Sequence, residues 1–216
     1  LRVIQTLASA IGTLLYISNS SAKRTTELNI KAVYPKLDDH HQQQLIKSSL
    51  KSQSMTYAES IKIWGSSPEF ALEQIKEVHH PEIFLNALKN PNGTLGVVPH
   101  FGTWELMNAW VNQHTNPVIM YKPSKNKDLD RFMLESRQQL NATLVPTDDS
   151  GVRALFKHLK QGGFSAILPD HIPKASGGIY SPFFGLNAFS STLLSKLAAK
   201  TQCSVVGLTC IRRQDL

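Results

Sequence analysis

Through the second half of the chain, short apolar runs alternate with longer amphipathic stretches. "TLGVVP" (94–99), "PVIMYKP" (117–123), "ATLVP" (142–146), "FSAILP" (164–169) and "CSVVGLTCI" (203–211) have the length and β-branched content of buried strands. Between them, "TWELMNAWVNQ" (103–113), residues 127–140, "SGVRALFKHLKQ" (150–161) and "STLLSKLAAKTQ" (191–202) carry apolar residues at helical spacing. This alternation with short connections predicts an α/β fold: a mixed, largely parallel sheet flanked by helices. In such sheets ligands bind beyond the carboxyl ends of the strands. His100, Tyr121 to Pro123, Pro146 to Asp149 and Asp170 all fall just past predicted strand ends.

The first half reads differently. Residues 38–64 lack Gly and Pro and place Leu45, Ile46, Leu50, Met55, Ala58, Ile61 and Ile63 at roughly helical spacing, with Asp38 or Asp39 as a cap and Gly65 as a stop. A shorter helix or strand leads to "HHP" (79–81), a short helix covers 82–89, and "NPNG" (90–93) is a turn. At the amino end, "LRVIQTLASAIGTLLYI" is apolar, but seventeen helical residues reach only about 25 Å against a hydrocarbon core of about 30 Å. It reads as the end of a truncated span, an interfacial helix or a core helix. Lys23, Arg24 and Lys31 follow it closely, which favours attachment to a membrane surface. The expected organisation is therefore an apolar, membrane-associated helix over residues 1–22 and one domain over 23–216. The chain opens on Leu1 and its last apolar run has no closing element, so a piece of a longer protein, truncated at its carboxyl end, is expected.

Composition adds bounds. With 216 residues, 41% hydrophobic and 18% charged, the chain is globular. Cys203 and Cys210 both sit in apolar sequence and suit a reducing compartment. The net charge of +7 favours an acidic partner: nucleic acid, anionic lipid or an acidic carrier protein. The basic residues are scattered, without the aromatic-interleaved stripe of a nucleic-acid binder, so that partner is not expected.

The densest chemistry is "VVPHFGTWEL" (97–106). His100 and Glu105 are five apart; within one helix that spacing would turn them about 140° from each other. They meet only where His100 precedes the helix and Glu105 lies in its first turn. Gly102 permits the turn, Thr103 suits an N-cap, and Glu105 suits a helix N-terminus. A carboxylate beside an imidazole fixes its tautomer and leaves the other nitrogen as a base. A capping pair of surface residues explains the same spacing. No G-x-S-x-G, P-loop, G-x-G-x-x-G, H-E-x-x-H or C-x-x-C pattern occurs. The adjacent histidines at 40–41 and 79–80 point apart on a helix. A substrate hydroxyl is then the simplest nucleophile.

Taken together, these stretches resemble the bacterial lipid A biosynthesis acyltransferases, the lauroyl and myristoyl transferases related to lysophospholipid acyltransferases. "TELNIKAVYPKL" (26–37) is similar to their N-L-x-x-x-x-P-x-L region, "TYAESIKIW" (56–64) to a glutamate-containing helix, and "VVPHFGTWEL" to their H-x-x-x-x-D/E motif. "MYKPSKNKDLDRFMLESRQQL" (120–140) is similar to their Y-R-P segment, and "GGFSAILPDHIPKASGGIYSPFFGLNA" (162–188) to their P-D-Q and P-F-F-G segment. Lys122 stands where the family usually has arginine, and His171 where it has glutamine. Lysine keeps the charge but loses the bidentate fork.

The resemblance implies a glycerolipid acyltransferase-like αβ domain at the cytoplasmic face of the bacterial inner membrane. His100 would be the general base and Glu105 its orienting acid. Lys122, Arg137, Asp170 and Gly102 would bind substrate. It implies acyl-acyl carrier protein or acyl-CoA as co-substrate, no metal and no further cofactor. The expected partners are acyl carrier protein, a lipid acceptor and the membrane surface. Lipid A precursor is the first acceptor, with a lysophospholipid or other glycolipid next, and an inert lipid-binding homologue as the non-enzymatic alternative. Arg137 also reads as an exposed helical charge, Asp170 as a turn residue between prolines, and Gly177, Gly178, Pro182, Phe183, Phe184 and Gly185 as a loop beside an acyl channel or plain core.

Overall fold

Strand and helix alternate along the chain much as the apolar pattern predicts. The computed structural model describes residues 2–213. In chain order these form α1 (Arg2–Ile17), α2 (Ser21–Val33), α3 (Asp39–Trp64), α4 (Pro68–Gln74), α5 (Pro81–Ala87), β1 (Thr94–Val97), α6 (Trp104–Asn112), β2 (Val118–Tyr121), α7 (Lys127–Gln138) and β3 (Thr143–Pro146). Then come α8 (Asp149–Lys160), β4 (Phe164–Ile167), a short 3-10 turn (Ala175–Gly177), β5 (Gly178–Phe183), β6 (Leu186–Ser191), α9 (Leu193–Thr201) and β7 (Ser204–Gly207). Local side chains set the helix starts. The side chains of Ser20, Ser67, Asn126 and Asp148 accept backbone N–H bonds at the amino ends of α2, α4, α7 and α8, and Asp38 does so for α3 through His41 N–H, at 3.0 Å.

Two units form. One comprises Leu1–Lys62 with Tyr180–Ala188, the other Ile63–Ile179 with Phe189–Leu216. The expected boundary after residue 22 falls within the first.

In the first unit α1 buries its small residues. Ala8 and Gly12 are covered, and a Cβ at Gly12 would stand 2.5 Å from Lys51 Cα, so α1 approaches α3 closely there. Gln5 donates to Glu59 at 2.8 Å and Tyr16 to Gln43 at 3.0 Å. The large apolar residues Val3, Leu7, Ile11, Leu14 and Ile17 remain exposed along another stripe. Among the described residues no helix is long and apolar enough to cross a membrane. Helix α2 is not among the elements expected from the apolar pattern. Its signals are the Ser20 cap and the i,i+4 pair of Glu27 with Lys31, 2.8 Å apart.

The second unit is built on a five-stranded sheet of order β3-β2-β4-β1-β7. Every pairing in it is parallel, which corrects the mixed sheet expected above. Each step from one of its strands to the next passes through a helix, and such crossovers return the chain in the same direction. Residue alternation assigns the faces. Leu95 and Ile167 pack with Leu155, Leu159 and Leu197 of α8 and α9 on one side. Phe164 and Val98 pack with Phe84, Met107 and Val111 of α5 and α6 on the other. The Phe164 ring lies across Gly96, where a Cβ would come within 2.9 Å of it.

Residues 178–191 form the separate β5-β6 hairpin, where the glycines and Pro182 to Gly185 suggest a loop or plain core. Its two-residue turn, Phe184 and Gly185, has φ of 49° and 77°, the positive values that two-residue hairpins of the I′ kind require.

Candidate active site

The site begins with a pairing in the sheet. β1 and β4 are parallel neighbours with Val97 opposite Ile167, and Val98 N–H continues the ladder by donating to Ile167 O at 2.9 Å. Each strand then runs into a proline, Pro99 and Pro169, and the next residues are His100 and Asp170. Equal steps from one register bring the two together. His100 Nδ1 lies 2.9 Å from Asp170 Oδ1, and His100 N–H donates to Asp170 Oδ2 at 2.8 Å.

The loop after β1 is held from its other side as well. Leu208 N–H donates to Val97 O at 2.9 Å, and Thr103 N–H donates to Cys210 O at 2.7 Å. Gly102 bridges to Cys210 with φ +66°, and a Cβ there would lie 2.0 Å from the Cys210 carbonyl oxygen. Only glycine fits both the dihedral and the space.

Burial opposes the Asp170 charge, but the hydrogen bonds from the ring and backbone of His100 outweigh it and hold the carboxyl below the usual aspartate range. An ionised carboxylate only accepts, so the proton of a neutral His100 sits on Nδ1 and its lone pair on Nε2. The His100 side chain is 32% exposed. Two rings frame the imidazole edge-on: Trp104, with centroids 4.9 Å apart, and His171, 4.5 Å apart. His171 Nε2 is 3.2 Å from His100 Nε2.

Glu105 is placed elsewhere than its spacing suggested. Its side chain is 6% exposed; Oε1 accepts from Arg137 Nη2 at 2.9 Å and Oε2 from Asn108 Nδ2 at 3.1 Å. The reason is helical geometry. α6 opens at Trp104, which takes the direction facing the imidazole, so the next residue points about 100° away towards α7. Arg137, expected at substrate, is 19% exposed and committed to Glu105, with its guanidinium 5.4 Å from the centre of the Tyr121 ring. The Tyr121 hydroxyl donates to Asp130, which also accepts from Ser124 N–H at 2.6 Å. Together these contacts tie the end of β2 to α6 and α7. Lys122, directly after β2, is exposed and remains available to an anionic group.

Asp170 was foreseen as a site residue but not as the partner of His100, and His171 was noted only for departing from the family pattern. A usable signal was present: "VVPH" and "ILPD" are matched apolar-Pro-polar strand exits. The histidines at 41, 79 and 80 are exposed beside Asp38, Glu77 and Glu82. Among the described residues no group of three His, Cys, Asp or Glu side chains is placed to hold a metal ion.

Comparison with known proteins gives this geometry a context. The family model described as bacterial lipid A biosynthesis acyltransferase matches residues 1–216. The chain is 21% identical over 190 residues to the lipid A biosynthesis lauroyltransferase of Escherichia coli (strain K12), covering 88% of this chain and 61% of that protein. It is 24% identical over 191 residues to the lipid A biosynthesis acyltransferase of Haemophilus influenzae (strain ATCC 51907 / DSM 11121 / KW20 / Rd), covering 87% and 59%. The chain thus spans about three-fifths of the length of these curated relatives.

Two predictions follow from the polar contacts. Arg137→Met leaves the Glu105 carboxylate buried and unpaired, and chemical denaturation should show a loss of about 3–5 kcal/mol; adding Glu105→Leu should recover most of it, because a packed apolar pair removes the stranded charge. For Asp170, whose carboxyl is held low in the fold, the stabilisation is complete above the unfolded aspartate value of about 3.9 and is lost as pH falls through the folded value. The stability advantage of the protein over Asp170→Asn, read from melting curves, should therefore shrink as pH falls below about 4. A gap independent of pH would show that the fold does not favour the charged form.

Proposed function

The chain belongs to the bacterial lipid A biosynthesis acyltransferase family, and from that premise we propose that it transfers a fatty acyl group from acyl carrier protein to a hydroxyl of a lipid A precursor. The observation supporting this reading best is the Asp170–His100 pair, 2.9 Å apart with the imidazole Nε2 turned away from the carboxylate. In the proposed reaction, the acceptor hydroxyl gives its proton to His100 Nε2 as its oxygen attacks the thioester carbonyl. The carbon–sulfur bond then breaks, and the departing sulfur takes the proton back from the imidazolium. Asp170 holds the tautomer and balances the transient positive charge. No acyl-enzyme is required.

General-base assistance supplies about 10²–10⁴-fold, while alignment of two bound substrates is worth roughly 7–11 kcal/mol. Positioning therefore matters at least as much as the base. In this reading Glu105 acts through Arg137, keeping α6 and hence Trp104 in place beside the imidazole. The exposed Lys122 meets an acceptor phosphate. A net charge of +7 attracts an acidic carrier protein and anionic lipid. The exposed α1 stripe suits an interfacial helix, apolar on one side and polar elsewhere, at the cytoplasmic face of the inner membrane.

The activity test uses the full-length enzyme in detergent with radiolabelled acyl-acyl carrier protein and, in parallel, lipid A precursor, a lysophospholipid or no acceptor. Transfer to the precursor should fall by at least about 10²-fold in His100→Ala and in Asp170→Asn. Transfer that survives in His100→Ala removes the base, and preference for the lysophospholipid replaces the acceptor. For the membrane, Leu7→Ser with Leu14→Ser removes two large side chains from the α1 stripe and should weaken sedimentation with anionic phospholipid vesicles by about tenfold or more. Unchanged sedimentation would show that α1 is not the contact.

A further inference from the structure

The catalytic nitrogen already has a partner. With Asp170 holding a proton on His100 Nδ1, the neutral ring has one lone pair for its reaction, on Nε2. His171 Nε2 stands 3.2 Å from it. Two ring nitrogens at that distance hold one proton between them. When both rings are neutral, His171 must be the donor, because the His100 proton is committed on the far side of the ring. His171 lies in the exposed loop between β4 and the 3-10 turn, and an exposed side chain exchanges rotamers in picoseconds to nanoseconds. The contact is made without being locked.

We propose that His171 is a cap on the base, a positioning residue that occupies the His100 lone pair until the acceptor's hydroxyl displaces it. The inference rests on the acyl-transfer reading above. Its consequence is discrimination against water. A lipid acceptor binds through its distant groups, and that binding energy is available to push His171 aside at the reacting centre. Water has no such contacts and must displace the cap unaided. While His171 covers Nε2, a bound thioester is exposed to water without an activated base beside it. Removing the cap leaves His100 free to deprotonate water, which attacks the same carbonyl; the acyl group then departs as free fatty acid and the thiol leaves with the proton.

Glutamine at this position keeps the essential feature. Its amide N–H donates to Nε2 as the imidazole does, whereas alanine provides no donor.

The test measures fatty acid release and lipid acylation together, using the full-length enzyme with acyl-acyl carrier protein, in the presence and absence of lipid A precursor. His171→Ala should raise hydrolysis without acceptor by about two- to tenfold, the range that one net hydrogen bond supports, and should shift the partition from transfer to hydrolysis. His171→Gln should hydrolyse as slowly as the parent enzyme. The gain should vanish when His100→Ala is added. A gain of hydrolysis cannot arise from misfolding. Unchanged hydrolysis in His171→Ala, with transfer intact in the parent, overturns the cap alone. So does a glutamine variant that hydrolyses like alanine, since side-chain bulk would then be responsible. A parent enzyme that neither transfers nor hydrolyses overturns the acyl-transfer reading, and this inference with it.

Discussion

The parallel register of β1 and β4 is the constraint on which the site depends. Val97 opposite Ile167 places two strand exits side by side, each a proline followed by a polar residue. A shift of one residue in that pairing would turn one strand's faces over relative to the other. It would drive either Phe164 or Leu95, both fully buried, to the wrong side of the sheet. The pairing of His100 with Asp170 is therefore protected by the hydrophobic core, although neither residue belongs to it. On the opposite flank, the carbonyl of Cys210 holds Thr103 N–H and leaves no room for a side chain at Gly102. His100 sits on a loop, but a loop bound on both edges by the sheet's own hydrogen-bonding geometry.

Two carboxylates near the histidine have different tasks because their surroundings differ. Asp170 is partly exposed and accepts from both the ring and the backbone of His100. It stands where it can balance a positive charge on the imidazole. Glu105 is buried against Arg137 and Asn108, and its charge is already neutralised by a fixed partner. A buried pair of this kind contributes little net stability beside an apolar alternative. Its value lies in geometry, since Arg137 also packs on Tyr121, whose hydroxyl reaches Asp130. That series of contacts holds the start of α6, where Trp104 meets the imidazole.

In the first unit, one helix separates two kinds of contact by residue size. The small side of α1 lets its backbone approach α3, while the large side faces outward. An apolar sequence of this length is consistent with a core helix, an interfacial helix or part of a span. The position of Gly12 against Lys51 shows which stripe is used internally and which is left over. The β5-β6 hairpin escaped the sequence reading for a related reason. Its residues alternate poorly because none of its strand residues is buried, so the period-2 signal that burial imposes is weak.

What the sequence determined by itself was local and periodic. Strand and helix alternation from residue 94 onward, the cap of α3, the turn at 90–93 and the position of His100 beyond a strand end are all set by neighbours within a few residues. The resemblance to a family was legible for the same reason, because short motifs survive in order along the chain. The tertiary structure alone decided which acid meets His100. Sequence spacing nominated Glu105, five residues away, since proximity in the chain is the only distance a sequence displays. Strand order made Asp170, seventy residues away, the nearer one. Hydrogen bonding between β1 and β4 depends on how the whole sheet is assembled, and no local preference encodes which strands become neighbours.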